Sequence, residues 1–297
     1  MKKVLVIVGP TAIGKSGLSI DLAQQFNGAI ISGDSIQIYK GLNIGSGKVT
    51  NDEMNNIKHY GIDILTPNDK YSVYDFQTNA RKQIDEITNN NMLPIVCGGT
   101  GLYIKALLYD YTFSIQKDMD YAIYQNMSNQ EIYDELLIKD PKSLDKIHIN
   151  NRQRLIRALA LADNDTIKSE QIDSQQHKLL YDALIIGLTA DREEVYKRIN
   201  NRVDIMFNQG LENEVKNLLN TGVNFDNQCM QGIGYKEFKE YILGNVSIED
   251  TKELIKRNSR RYAKKQYTWF NNQTPIKWYD VKDKDMLIKE VIQWMQN

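Results

Sequence analysis

At 297 residues the chain exceeds the usual size of one domain, so two domains, or one domain carrying an insertion, are expected. A hydrophobic share of 41% with 25% charged residues is that of an ordinary soluble globular protein, and a net charge of −1 gives the chain as a whole no attraction for nucleic acid. Any RNA-binding surface must come from local clusters of Lys and Arg.

In chain order, Met1-Lys2-Lys3 precedes the apolar run Val4-Leu5-Val6-Ile7-Val8. That run is too short for the apolar part of a secretion signal, roughly 7–15 residues, or for a membrane span of about 20. It stops at Gly9-Pro10 and reads as a buried first strand. Nothing else approaches spanning length, so no membrane association is expected. Cys97 and Cys229 lie far apart, without pairing or metal-ligand spacing, which fits a reducing cytoplasm. A glycine-containing loop leads to an amphipathic helix over 15–26, and a second short strand, 29–31, ends at Ser32-Gly33-Asp34. A helix over 73–88 leads to a third buried strand, 93–97, ending at Gly98-Gly99-Thr100-Gly101. Strands alternating with helical crossovers predict a parallel α/β sheet flanked by helices.

From 113 to 162 the periodicity is helical, broken at Pro141, and 163–177 reads as a polar loop. An apolar strand returns at 183–188, and helices are expected over 192–200, 204–219, 234–243 and 248–270. The resulting division is a first part of the core over 1–112, an all-helical insertion over 113–177, and completion of the core with a helical C-terminal part over 178–297.

Gly9-Pro10-Thr11-Ala12-Ile13-Gly14-Lys15-Ser16 matches the phosphate-loop pattern G-x-x-x-x-G-K-[ST], with a buried strand before it and a helix after it. Glycines let backbone N–H groups converge on phosphate oxygens at a helix N-terminus. Lys15 adds a point charge, and the Ser16 hydroxyl can ligate a Mg²⁺ that bridges two phosphates. The expected fold is therefore P-loop NTPase-like, and ATP is among the ligands such a loop accepts. NTP hydrolases usually add a second metal-binding carboxylate at a strand end. Here the third strand runs into Gly98-Gly99-Thr100 instead, and the nearest acid in fold terms is Asp34. Asp34, Thr100 and the loop should line one crevice outside the strand ends.

Taken singly, other motifs have ordinary readings. Asp34 can be a cap or turn residue, Gly98-Gly99-Thr100 a strand-to-helix turn, and Arg154 with Arg157 a solvated helix face. Together, the phosphate loop, Asp34-Ser35-Ile36-Gln37-Ile38-Tyr39, Gly98 to Tyr103, Gln153-Arg154 with Arg157, Ile233 to Glu237, and Tyr262 to Gln266 with Thr268-Trp269-Phe270 resemble the tRNA dimethylallyltransferase family over nearly the whole chain.

The resemblance implies transfer of a dimethylallyl group from dimethylallyl diphosphate to the exocyclic amine of the adenosine just 3′ of the tRNA anticodon, releasing diphosphate. It implies Asp34 as general base, with Thr100 orienting the base or the adenine, and Thr11 beside the diphosphate. Asp34, Ser35, Ile36, Gln37, Thr100, Gln153, Arg154, Arg157 and Lys264 fall at tRNA-binding positions. Lys15 and Arg202 would stabilise the leaving group, although Arg198, four residues earlier, could take that role instead. The implied partners are the anticodon stem-loop and the prenyl diphosphate, with Mg²⁺ as cofactor and the chain acting as a cytoplasmic monomer.

The best basic surface runs over 252–265, where Lys256, Arg257, Arg260, Arg261, Lys264 and Lys265 outnumber Glu253. Tyr262, Tyr267 and Trp269 nearby could stack on bases, though such spacing is more often core. The family's Asn-Asp before the arginine pair is here Asn150-Asn151-Arg152, which leaves one local contact open, and the stretch 118–125 offers Tyr121 and Tyr124 but no arginine. His59, His148 and His177 are isolated. The rival readings are a P-loop kinase of a nucleotide or small metabolite, a prenyltransferase acting on free adenine nucleotides, and a nucleotide-switched RNA-binding protein.

Overall fold

The computed structural model describes residues 1–111, 121–164, 178–273 and 275–297. His177 and most of the polar stretch 163–177 lie outside the described residues. The chain divides into two compact units, Met1–Leu108 with Leu180–Asn297, and Tyr109–Leu179.

In the first unit six strands form one sheet: β1 (Lys3–Val8), β2 (Gly28–Ser32), β3 (His59–Tyr60), β4 (Leu93–Cys97), β5 (Asp182–Thr189) and β6 (Lys277–Asp280). Their order is β3-β2-β4-β1-β5-β6, and every neighbouring pair is parallel. Val4 to Val8 are fully buried because β1 sits between β4 and β5 with both faces covered. Leu5 and Ile7 belong to a core that also takes Leu18 and Leu22, Val195 and Ile199, Ala263, and Leu287 and Val291. Strands β3 and β6 were not expected from the sequence. One is two residues long, and Lys277-Trp278-Tyr279-Asp280 is an edge strand, only partly covered, without a continuous apolar run.

The helices are α1 (Lys15–Gln25), α2 (Asn51–Met54), α3 (Val73–Asn89) and α4 (Gly101–Leu108), which starts directly after the glycine-rich turn. The second unit holds α5 (Asn129–Lys139) and α6 (Arg152–Ala162). They pack around Ile132, Leu136, Ile147, Leu155 and Leu159, with Pro141 opening a short 3₁₀ turn between them. Tyr124 belongs to that core, its hydroxyl 2.7 Å from Asp163 Oδ2. Asn151 caps α6 by accepting the Arg154 N–H, so the amide supplies a contact at the position where the family's acid is missing.

Back in the first unit, α7 (Arg192–Asn208) runs straight through the break expected at 200–204. Ile199, Val203 and Met206 continue one buried face across it, and the chain turns instead at Gly210, whose φ of +95° favours glycine. After α8 (Leu211–Asn220), the helix expected over 234–243 is only α9 (Phe238–Ile242). Gly234, at φ +99°, belongs to a turn whose N–H is accepted by the buried Glu237 carboxylate at 2.9 Å. The long α10 (Ile248–Gln273) is followed by β6 and by α11 (Lys284–Gln296), which the sequence reading had not separated. No helix among the described residues is long and apolar enough to cross a membrane.

Candidate active site

The phosphate loop leaves β1 at Gly9, where a Cβ would sit 2.7 Å from the Leu188 carbonyl oxygen of β5. Only glycine fits there, and its φ of +143° is likewise glycine's. Ala12 at φ +63° and Gly14 at φ +101° curl the loop before α1 begins. The Lys15 ammonium donates to the carbonyls of Gly9 (3.1 Å) and Pro10 (2.8 Å). Burial lowers its pKa to about 8; neighbouring Arg202 adds to that effect, while Asp34 and Cys97 oppose it. Ser16 lines the same small cavity as Lys15, and its hydroxyl makes no hydrogen bond among the described residues.

Asp34 follows β2 and Thr100 follows β4. The two strand ends come together because Gly33 and Gly98 touch: Gly33 N–H donates to Cys97 O at 2.8 Å, and a Cβ on Gly98 would lie 2.4 Å from Gly33 O. Asp34 Oδ1 accepts the N–H groups of Ile36 (2.8 Å) and Gln37 (3.3 Å). That turn fixes the carboxylate while Oδ2 stays without a partner among the described residues. Thr100 ends the opposite loop, its carbonyl accepting the N–H groups of Tyr103 and Ile104, and it lines the same cavity as Tyr262. Burial, with the Asp34 charge nearby, pushes the Tyr262 phenol up to about 12, so it stays protonated at neutral pH.

These groups share a cavity of about 400 Å³. Its polar lining includes Thr11, Asp34, Ser35, Thr100, Arg202 and Tyr262 together with Gln228, Gln231 and Lys236, and its apolar lining includes Ile199, Val203, Met206, Ile233 and Ile255. Thr11, Asp34, Ser46, Arg202 and Tyr262 also line a smaller cavity of about 90 Å³ that reaches Lys15 and Ser16. A third, about 760 Å³, opens on the other side of Lys15 and again includes Arg202. Arg202 is the α7 arginine that lines all three cavities, whereas Arg198 lines only the third. Burial lowers the pKa of Arg202, Asp34 and Glu53 counteract this, and it donates to Ser46 O at 3.4 Å. Arg198 is ion-paired with Glu194 one turn back.

The loop facing Arg202 is held from below by residues to which the sequence reading gave no role. Glu214 accepts the N–H groups of Asn43 (2.9 Å), Ile44 (2.7 Å) and Gly45 (3.0 Å). It also accepts the Tyr235 hydroxyl at 2.8 Å, which in turn accepts the Ser46 N–H at 3.1 Å. The apolar lining was missed as well, although the spacing Ile199, Val203, Met206 on one helix face carried the signal.

The remaining expected residues divide between the cavities and more distant surfaces. Ile36 lines the main cavity, while Gln37 turns inward, its amide accepting from Ser32 and donating to the carbonyls of Ser46 and Gly47. Gln153, Arg154 and Arg157 are exposed on one face of α6 in the second unit and make no side-chain hydrogen bond or ion pair among the described residues. Arg152 beside them is structural, donating to four oxygens of the 124–129 segment. On α10, Lys252 and Lys256 pair with Asp204, and Arg260 donates to Asn200. That leaves Arg257, Arg261, Lys264 and Lys265 as an exposed stripe. Tyr267 is tied to Thr189 and packs on Trp278, while Trp269 covers Gly101. Half-buried His59 is hydrogen-bonded to Ile57 O and His148 to the Asn150 N–H, both locally. Among the described residues, no group of three or more His, Cys, Asp or Glu side chains could hold a metal ion.

A parallel sheet with a phosphate loop after β1, and a carboxylate and a hydroxyl at the neighbouring strand ends, defines a P-loop-like α/β protein whose phosphate loop adjoins an apolar wall. Residues 37–273 match the family described as IPP transferase, and residues 2–64 match isopentenyl transferase. The chain belongs to the IPP transferase family. It is 47% identical, over 99% of its length and 96% of the relative's, to a tRNA dimethylallyltransferase of Bacillus anthracis. Among solved structures it is similar to a tRNA delta(2)-isopentenylpyrophosphate transferase from Staphylococcus epidermidis, at 43% identity and a TM-score of 0.75, covering 100% of this chain and 99% of that one. It is also similar to a eukaryotic dimethylallyltransferase acting on tRNA, at 30% identity and a TM-score of 0.84, covering 94% and 74%.

Proposed function

We propose that this enzyme moves a dimethylallyl group from dimethylallyl diphosphate to the exocyclic N6 of the adenosine next to the tRNA anticodon, adenosine 37. The observation that carries the reading is the single cavity in which the base Asp34 and the phosphate-loop residue Thr11 face an apolar lining. Burying a five-carbon chain against Ile199, Val203, Met206, Ile233 and Ile255 contributes about 4 kcal/mol, at roughly 0.8 per carbon.

The adenine amine is a weak nucleophile because its lone pair is delocalised into the ring. As the N6–C1 bond forms, the amine proton passes to Asp34 Oδ2, whose partner oxygen is held by two backbone amides. The C1–O bond breaks, and the charge that develops on the departing diphosphate meets Lys15 and Arg202. Thr100, which lines the cavity with Asp34 and Tyr262, orients the adenine edge. A Mg²⁺ fits the same place: Ser16 offers an unpartnered hydroxyl, and diphosphate oxygens can complete the ligand set without a protein carboxylate. When bound, the ion neutralises charge on the leaving group.

The target base must turn out of the anticodon loop to reach the cavity. The exposed arginines of α6 and the basic stripe of α10 are suited to RNA phosphates.

A transfer assay with labelled dimethylallyl diphosphate, Mg²⁺ and either unmodified tRNA or AMP tests the reading. Label is expected on tRNA and not on AMP. Label on AMP alone would remove the RNA surface, and label on neither would restore the kinase reading. The Asp34→Ala variant should lose roughly 10²–10⁴-fold in kcat while still binding the prenyl diphosphate. Full turnover without that carboxylate would exclude it as the base.

A further inference from the structure

Gln266 is 5% exposed on α10, and both ends of its amide are committed. Its Oε1 accepts the Thr11 N–H of the phosphate loop at 3.0 Å, and its Nε2 donates to the Gly99 carbonyl at 3.0 Å. The amide can face only one way, because a backbone N–H only donates and a carbonyl only accepts. It passes so close to the turn that a Cβ on Gly99 would lie 2.1 Å from Nε2. The residue after Gly99 is Thr100, and Gln266 lines the small cavity together with Lys15, Ser16 and Asp34.

We propose that Gln266 is a positioning residue for the transfer step, a two-ended link that sets the distance between the phosphate loop and the Gly99–Thr100 turn. The inference rests on the transfer reading. In that reaction the leaving diphosphate is held by one loop and the accepting amine by the other. In-line displacement needs the reacting atoms about 3–3.5 Å apart, and a displacement of about 1 Å can lower the rate on the order of 10²-fold. No other side chain among the described hydrogen bonds joins these two loops directly. Two-point bonding by a planar amide is also stiffer than packing alone.

The test compares full-length wild type with Gln266→Met and Gln266→Glu under saturating tRNA and prenyl diphosphate. Methionine keeps the length and loses both poles, so kcat should fall roughly 10- to 100-fold with the Kd for tRNA unchanged and the protein still folded by its melting curve. Glutamate separates positioning from packing. Ionised, it repels the Gly99 carbonyl; protonated, it reproduces both hydrogen bonds of the amide. Burial against a carbonyl oxygen favours the protonated form, while Lys15 and Arg202, which line the same small cavity, favour the ionised form and draw the recovery towards lower pH. The Gln266→Glu rate, taken as a ratio to wild type at each pH, should therefore recover as pH falls from about 8 to about 5.5. A Gln266→Met kcat within about twofold of an active wild type, or a Gln266→Glu ratio that does not change with pH, overturns the inference alone. A wild type that transfers no label overturns the transfer reading and the inference with it.

Discussion

Asp34 serves the fold and the site with different atoms of one carboxylate. Oδ1 closes the turn after β2 and Oδ2 is left for chemistry, so the ordinary reading of this residue as a turn former and its reading as a base are both accommodated. Lys15 presents the opposite case, a function maintained against stability. Its pKa moves from 10.5 to about 8 on burial. At about 1.4 kcal/mol per pH unit, holding the ammonium in the folded state costs on the order of 3 kcal/mol. Because the folded pKa of this base is lowered, that cost is complete below pH 8 and disappears as pH rises from about 8 towards 10.5. The Lys15→Met variant should accordingly lose diphosphate binding yet melt roughly 2–6 °C higher at pH 7, read by calorimetry. An unchanged or lower Tm would show that the ammonium is well solvated. In wild type, affinity for the prenyl diphosphate should weaken above pH 8 as the lysine loses its proton, visible by titration calorimetry.

At the scale of elements, α10 explains Gly99 and Gly101 of the Gly98-Gly99-Thr100-Gly101 turn, while Gly98 is required by Gly33. Tyr262, Gln266 and Trp269, spaced i, i+4, i+7 on one face, meet Thr100, Gly99 and Gly101 in turn. A Cβ on Gly101 would lie 2.2 Å from the Trp269 ring. The Gly101→Ala change should then destabilise by about 1–3 kcal/mol despite alanine's better helix propensity, measured by denaturant unfolding. In a Trp269→Ala background the same change should cost little. Equal penalties in both backgrounds would show that the ring is not the obstacle. The sequence displayed this turn as a motif without its reason, because the clashing atoms come from a helix more than 150 residues later.

At the scale of the molecule, the two units carry different surfaces. The cavity belongs wholly to Met1–Leu108 with Leu180–Asn297, while Arg154 and Arg157 belong to Tyr109–Leu179. If the α6 arginines hold RNA phosphates, the Arg154→Ala, Arg157→Ala double variant should raise KM for tRNA and flatten its salt dependence by a slope of about 2, with the prenyl diphosphate Kd unchanged. A normal salt slope would leave that face merely solvated. The sequence by itself determined the phosphate loop, the buried strands and the strand-end acid. Each is local, readable from an apolar run or from residues within one loop. Only the tertiary structure showed that Arg202 lines all three cavities, what clamps the 43–47 loop, where the apolar lining lies, and that Gln266 joins two loops. These depend on side chains brought within hydrogen-bond or van der Waals reach across the sheet, and no spacing along the chain encodes that proximity.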